Sequence, residues 1–224
     1  MRITVIDSGV HASHPHVQRV AGGIGIDSSG GIHSDYVDRL GHGTAVTAAI
    51  REKAPAADIF VIKVFDRELR TTGDALVAAL RVARDNHTQI VNLSLGTTNP
   101  EYETRLAAEI GAAQTSGMFV VTAAPQPEAR WLPGTLPDTI AVELDMSLPR
   151  DRCDIIVTPG SEIRARASGY PRPIPGVPPE RNLQGISFAV ANVTGLLALV
   201  LEGVAPGTDI RAALGSVKST SLSG

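Results

Sequence analysis

Three side chains, far apart along the 224-residue sequence, carry the groups that nucleophilic acyl transfer requires. Asp7 ends the apolar run ITVID, His42 lies between two glycines in GHGTAV, and Ser187 stands in GISFA, where a stretch with helical spacing begins. A serine hydroxyl is a weak nucleophile until an imidazole removes its proton, and a carboxylate must hold that imidazole in the right tautomer. The three residue types together therefore indicate acyl-transfer chemistry.

Each of these residues also has an ordinary structural explanation. Asp-Ser-Gly after a strand is commonly a turn, a histidine between glycines is commonly a loop residue, and a serine that opens a helix is commonly an N-cap. The order along the chain favours the chemical interpretation, because Asp, then His, then Ser is a known order for such a triad.

The elements that would position these residues alternate between short β-rich runs and helical patterns. Strands are predicted at 3–7, 58–64, 89–95, 118–124, 139–144 and 153–158, and helices at 43–52, 73–87 and 100–117. Near-continuous apolar strands joined by helices predict a mainly parallel, twisted sheet covered on both faces, a three-layer α/β/α sandwich. In such a sheet, functional groups gather where strands end and helices begin.

The remaining segments are consistent with a single domain. The stretch Ala21–Ser34 is rich in glycine and serine and the stretch Tyr170–Glu180 is rich in proline, so both are predicted to be irregular surface loops. We interpret residues 1–218 as one domain and 219–224, which reads STSLSG, as a flexible tail. The linker-like tail also indicates that the chain was cut from a longer protein.

Composition and charge exclude several classes of function. The net charge of −3 and the absence of a dense basic run argue against nucleic-acid binding. No apolar run is long enough to span a membrane, and no signal-peptide pattern precedes the first strand, so we predict a cytoplasmic protein or an excised mature domain. The single cysteine, Cys153, excludes an internal disulfide. A nucleotide-binding sheet is excluded because no G-x-G-x-x-G turn follows the first strand.

Several segments, in the same order, resemble those of the subtilisin-like serine proteases. VIDSGVHASHP resembles the aspartate motif of that family, DRLGHGTAV its histidine motif and GISFAVANVTGLLAL its serine motif. VNLSLG resembles the strand that binds substrate in extended form, and LPGTLPDTIAV and DIIVTPGSEI resemble two framework segments. The resemblance implies a subtilisin-like fold and a serine endopeptidase that needs no cofactor and acts on a peptide or protein substrate.

The resemblance also implies roles for individual residues. Ser187 would attack the scissile carbonyl, His42 would act as general base and then as general acid, and Asp7 would orient His42. The cleft for an extended peptide would be lined by Ser94, Leu95 and Gly96.

The main departure from the family lies where the oxyanion hole should be completed. The family has an asparagine in a motif like AAGN, whereas this chain reads TAAPQPE and has Gln126 at that position. Glutamine carries the same amide on one more methylene, so Gln126 is either an oxyanion donor or an exposed loop residue. Losing such a donor lowers turnover by about 100- to 1000-fold. The alternative function is therefore a weakly active or inactive domain that binds peptides or protein partners.

The stretch from Gln126 to Pro133 is shorter than in typical relatives, and it would form a wall of the pocket for the residue before the cut. Substrate specificity therefore does not carry over from the family. Removal of a leader peptide from one dedicated substrate, within a larger protein or a processing complex, is one hypothesis.

Metal binding is a further difference from many relatives. His16 stands where those relatives have a calcium-binding aspartate, and calcium requires oxygen ligands, so no calcium is predicted at that site. His11, His14 and His16 raise the alternative of zinc, but three histidines in a surface loop more often bind nothing. We therefore predict no metal.

Overall fold

The computed structural model describes residues 1–125, 130–158, 162–202 and 214. These residues form one nine-stranded sheet with the order β3-β2-β4-β1-β5-β6-β7-β9-β8. The strands are β1 (Arg2–Asp7), β2 (Gly22–Ile26), β3 (Ile32–His33), β4 (Asp58–Lys63), β5 (Ile90–Leu93), β6 (Phe119–Ala123), β7 (Thr139–Leu144), β8 (Cys153–Val157) and β9 (Ile163–Ala167). Neighbouring strands pair in parallel, except for β2 with β3 and β8 with β9, which are antiparallel.

Helices cover both faces of this sheet. Within the described ranges they are α1 (His42–Lys53), α2 (Gly73–Asp85), α3 (Glu103–Thr115) and α4 (Ile186–Leu201), with 3₁₀ turns at Pro100–Tyr102 and Pro179–Arg181. Apolar residues of α1 and α4 share one hydrophobic core with the sheet, and those of α2 and α3 share a second. The predicted three-layer α/β/α sandwich is therefore confirmed.

The central strand β1 shows why the strands read as continuous apolar runs. Ile3 and Val5 belong to the core beneath α1 and α4, whereas Ile6 belongs to the core beneath α2 and α3. All three side chains are fully buried, because successive residues of a strand point to opposite faces and both faces are covered. The strand ends at Asp7, at the edge of the sheet where α1 begins.

The prediction of an irregular loop over Ala21–Ser34 was wrong. This stretch contains β2, which pairs with β4, and β3, which pairs with β2. Gly23 and Gly25 of β2 cannot carry a side chain, because aromatic rings lie directly on the strand at these two positions. A Cβ atom would stand 2.7 Å from the Tyr36 ring at Gly23 and 1.9 Å from the His33 ring at Gly25.

The other predicted strands and helices occur at the expected positions, to within a few residues at their ends. The sequence analysis missed β9, although its sequence IRARA alternates between buried and exposed residues as a half-covered strand should. The stretch Tyr170–Glu180 is irregular, as predicted, until the 3₁₀ turn. The tail predicted at 219–224 lies outside the described residues. In the part of the chain that the structure describes, no helix is long and apolar enough to cross a lipid bilayer.

Candidate active site

The candidate site is built where β1 ends and α1 begins. Asp7 is the last residue of β1 and His42 is the first residue of α1. The carboxylate of Asp7 is fully buried, and its Oδ1 lies 2.7 Å from Nδ1 of His42. Asp7 Oδ1 also accepts a hydrogen bond of 2.7 Å from the backbone N–H of Ser8. Because an ionised carboxylate only accepts hydrogen bonds, this contact places the proton of neutral His42 on Nδ1 and leaves Nε2 as the basic atom.

The surroundings of His42 also set its protonation. Burial disfavours the charged imidazolium, but the hydrogen bond from His42 to Asp7, the charge of Asp7 and the charge of Asp38 outweigh that effect and raise the pKa of His42 above its ordinary value of 6.5. The imidazole side chain is 20% exposed, so a small molecule or peptide can still reach it. The arrangement is suited to accepting a proton and stabilising the resulting positive charge.

The first turn of α4 lies beside this imidazole. The ring centroids of Phe188 and His42 are 5.8 Å apart, and Ser187 immediately precedes Phe188. The N-cap of α4 is Gly185, so Ser187 is the second residue of the helix and does not serve as its cap. The first N–H groups of an α-helix have no acceptor within the helix, and the helix dipole is positive at this end. The N–H of Ser187 therefore stands in a position suited to an anionic oxygen.

A contact between β1 and β5 adds a residue to the site. Ser94 follows the end of β5, and its hydroxyl donates a hydrogen bond of 3.4 Å to Oδ2 of Asp7. The sequence analysis assigned Ser94 to the cleft and missed this contact. The available signal was the parallel sheet itself, since polar residues that follow neighbouring parallel strands meet at the same edge.

The two residues that follow Ser94 differ in their exposure. Leu95 is 7% exposed and belongs to the core beneath α2 and α3, whereas Gly96 is partly exposed. The next residue, Thr97, exchanges two backbone hydrogen bonds of 2.9 Å with Leu132. The backbone N–H and carbonyl of Thr97 are therefore already paired.

Two predictions concern residues elsewhere. Gln126 lies outside the described residues. Among the residues that the structure does describe, no group of three or more His, Cys, Asp or Glu side chains is placed to hold a metal ion. Of the three histidines considered for zinc, His14 and His16 pack edge to face, with ring centroids 5.2 Å apart.

Comparisons with known proteins show what the chain is similar to. Residues 1–142 match the model of the subtilase family. The chain is 34% identical over 132 residues to a thermostable alkaline protease of Halalkalibacterium halodurans, which covers 55% of this chain and 35% of the relative. It is 28% identical to subtilisin NAT of Bacillus subtilis subsp. natto, over 90% of this chain and 55% of the relative. The chain thus spans between a third and about half of the length of these two relatives.

The fold is similar to that of the nisin leader peptidase NisP from Lactococcus lactis. The TM-score is 0.69 at 18% sequence identity, and the match covers 90% of this chain and 77% of the other. The family model matches more than half of this chain. The chain belongs to the subtilase family.

Proposed function

We propose that this chain is a serine endopeptidase that hydrolyses peptide bonds through an acyl-enzyme. Ser187 attacks the scissile carbonyl, His42 removes the proton of the Ser187 hydroxyl and later gives it to the leaving amine, and Asp7 holds His42 in position. The single observation that supports this proposal most strongly is the 2.7 Å contact between the buried Asp7 carboxylate and His42 Nδ1, next to the helix turn that carries Ser187.

The burial of Asp7 explains why this contact favours catalysis over a simple structural ion pair. A buried carboxylate that already accepts a backbone N–H has little freedom to move, so it fixes the imidazole ring with Nε2 directed away from β1. As the hydroxyl proton passes to His42, the imidazolium forms next to a fixed negative charge. The raised pKa of His42 expresses the same stabilisation in the resting enzyme.

We further propose that the negative oxygen of the tetrahedral intermediate binds the backbone N–H of Ser187 and the side-chain amide of Gln126. The helix start supplies the first donor without any rearrangement of the protein. Replacing Gln126 by alanine should lower turnover by about 10- to 1000-fold with little change in substrate binding. Gln114→Ala, at an exposed glutamine of α3, is the matched control and should leave turnover unchanged. Parental turnover in Gln126→Ala would remove Gln126 from the mechanism.

The substrate is proposed to bind in extended form along Ser94, Leu95 and Gly96. Backbone groups at the end of a strand can pair with an added peptide strand, and the engaged backbone of Thr97 marks where that pairing stops. A dedicated processing role, such as removal of a leader peptide, is supported by the likeness of the fold to a leader peptidase. A cleavage survey with a diverse peptide library tests this role, and ready hydrolysis of many unrelated sequences would contradict it.

The proposed activity is tested by a fluorophosphonate probe, which reacts covalently with activated serines. The purified chain and its Ser187→Ala variant are treated in parallel, and the labelled residue is identified by mass spectrometry. Labelling of the parent at Ser187, and of no residue in the variant, is expected. A folded parent that takes up no label would overturn the proposal and would favour a domain that binds peptides without cleaving them.

A further inference from the structure

The carboxylate of Asp38 gathers an unusual number of hydrogen bonds just ahead of α1. Its Oδ1 accepts from the Ser8 hydroxyl and from the backbone N–H groups of Leu40 and Gly41, each at 2.9 Å. Its Oδ2 accepts from the backbone N–H of Thr44 at 2.8 Å and from the Thr44 hydroxyl at 2.6 Å. The partly buried carboxylate of Asp38 thus binds residues that precede His42 and one that follows it, and it also binds Ser8, just beyond the end of β1.

These bonds connect the two elements that carry Asp7 and His42. Ser8 follows Asp7 directly, and its hydroxyl oxygen also accepts a hydrogen bond of 2.9 Å from the backbone N–H of Gly43. A continuous chain of hydrogen bonds therefore runs from Asp38 through Ser8 to the residue after His42. The N-cap of α1 is Gly41, which has no side chain, so Asp38 accepts the first-turn N–H of Thr44 that a capping side chain would otherwise bind.

The negative charge of Asp38 also acts on His42, whose pKa it raises. Burial would raise the pKa of Asp38, but the hydrogen bonds from Thr44, Leu40 and Ser8 outweigh it and hold the pKa below its usual value. Asp38 is therefore ionised wherever His42 titrates. Among the described titratable groups, Asp7 from β1 and Asp38 from the segment before α1 are the two whose charges act on His42.

The surface that packs on His42 from α4 is uncharged. It is formed by the aromatic ring of Phe188, which is preceded in the first turn of the helix by Ser187. Loss of the charge of Asp38 would therefore leave Asp7 as the anion facing the imidazole.

We propose that Asp38 is a positioning residue, whose carboxylate locks the end of β1 to the first turn of α1 and so aligns His42 with Asp7. This inference rests on the proposed role of His42 as general base. Asp38 does not touch the reacting atoms and acts through the geometry and the charge that it presents to His42. An asparagine at position 38 is nearly the same size, but it lacks the charge and can accept only with its single amide oxygen.

The test compares Asp38→Asn with Asp35→Asn in the full chain. Asp35 is a carboxylate of the same segment that pairs with Arg39 and Lys63, so it controls for the loss of a nearby negative charge. Asp38→Asn is expected to lower kcat by about 10- to 100-fold with little change in KM, because a small misalignment of a reacting group is costly. It should also move the acidic limb of the kcat/KM profile to lower pH. Asp35→Asn should do neither.

The pKa of His42 is measured independently of activity, by NMR titration in the Ser187→Ala background. It should fall in Asp38→Asn and stay near the parental value in Asp38→Glu, which keeps the charge but changes the geometry. Equal kcat and equal His42 pKa in Asp38→Asn and the control would overturn the inference. An inactive parent would contradict the proposed function instead, and the NMR titration would still decide whether Asp38 acts on His42.

A variant that keeps every charge guards against misfolding of Asp38→Asn. Thr44→Val preserves the shape of the side chain and removes the 2.6 Å hydrogen bond to Asp38, together with the 3.0 Å hydrogen bond that the Thr44 hydroxyl accepts from the backbone N–H of His11. It is expected to lower kcat several-fold while the far-ultraviolet circular dichroism spectrum stays parental. Unchanged kcat in this variant would contradict the positioning role.

Discussion

Gly43 lies so close to the end of β1 that a Cβ atom at that position would stand 2.3 Å from the carbonyl oxygen of Gly9. The same atom would lie 3.2 Å from Cβ and from Oδ1 of Asp7. The first distance is far shorter than any ordinary van der Waals contact. The carbonyl oxygen of Gly9 belongs to the backbone, which cannot move away as a flexible side chain can. The helix α1 can therefore bring His42 to Asp7 only because residue 43 has no side chain.

Gly43→Ala is expected to push the start of α1 away from β1 and to lower kcat/KM by about 100-fold, since the contact between His42 and Asp7 would lengthen. The free energy of unfolding should fall by about 1–3 kcal/mol because the added methyl group overpacks the junction. Urea denaturation and peptide hydrolysis check the two effects. Gly111→Ala in α3, where a Cβ has open space, is the control. Its free energy of unfolding should rise by about 0.5–1 kcal/mol, with no change in hydrolysis. Parental activity in Gly43→Ala would contradict the interpretation.

The pH dependence of hydrolysis follows from the raised pKa of His42. A general base must be unprotonated, so kcat/KM should rise with pH through the His42 pKa, and the midpoint should lie above the ordinary value of 6.5. A pH profile of kcat/KM, compared with an NMR titration of His42, measures the midpoint in two ways. A midpoint below 6.5 would show that burial of His42 outweighs the effect of the two carboxylates on its pKa.

The same shift predicts the sign of a stability effect. The folded state holds the His42 proton more tightly than the unfolded state does, so this contribution to the free energy of unfolding is fully present below the unfolded pKa. It is lost as the pH rises through the folded pKa. His42→Gln should remove this dependence. Urea denaturation across the pH range, in the Ser187→Ala background, should therefore show parent and variant diverging on the acidic side.

Asn192 in α4 anchors the strand end and loop that lie against the start of the helix. Its side-chain amide donates hydrogen bonds to the carbonyl oxygens of Ser168 at 2.8 Å and Tyr170 at 3.1 Å. The residue between them, Gly169, accepts a hydrogen bond of 2.9 Å from the N–H of Gly185, the N-cap of the helix that carries Ser187. This fully buried asparagine therefore supports the turn that places the proposed nucleophile.

Asn192→Leu keeps the size of the side chain but leaves two carbonyl groups without their partner. We expect the free energy of unfolding to fall by about 2–4 kcal/mol, with a loss of hydrolysis as the turn shifts. Thr194→Val, also in α4, is the control, and it removes the 3.0 Å hydrogen bond that the Thr194 hydroxyl donates to Asn92 of β5. It should lower the free energy of unfolding by about 1 kcal/mol and reduce hydrolysis less than Asn192→Leu does. Equal losses of hydrolysis in the two variants would show that Asn192 has no special relation to the turn.

Lys53, near the end of α1, carries a charge in an unfavourable place. Burial, with a smaller contribution from nearby Arg150, lowers its pKa to about 8. The unfolded chain therefore binds more protons than the folded chain above that pH, and the free energy of unfolding should rise as the pH increases from about 8 to about 10. Lys53→Met, which removes the buried ammonium, should stabilise the protein by about 1–3 kcal/mol at pH 7.

The measurement is urea denaturation of both proteins near pH 7 and near pH 10, in the Ser187→Ala background to prevent self-digestion. The advantage of the methionine variant should shrink at the higher pH, because the folded lysine is then neutral and its side chain no longer carries the cost of a buried charge. A variant that is less stable than the parent at pH 7 would show that the ion pair of Lys53 with Glu52, at 3.4 Å, outweighs the cost of burial.

Local patterns in the sequence were sufficient to predict the layers of the fold, whereas the roles proposed for the site residues came from the resemblance to a family. Apolar runs buried on both faces require a covered parallel sheet, and the ends of such strands are where Asp7 and Ser94 stand. The glycine-rich composition of Ala21–Ser34 led to the wrong prediction of a loop where β2 lies. Glycine occurs both in flexible loops and in strands that aromatic rings approach closely. That distinction depends on Tyr36 and His33, which the local pattern of the strand does not reveal.

The sequence alone determined which chemical groups are present, their order along the chain and the alternation of elements that carries them. Only the tertiary structure decided that Asp7 binds His42 across 35 residues and Ser94 across 87, that Ser187 lies within the first turn of α4, and that Asp38 ties two elements together. The physical reason is that propensity and periodicity are set by neighbours in the chain, whereas hydrogen bonds between distant residues form only after burial of the apolar faces has fixed how the strands and helices pack.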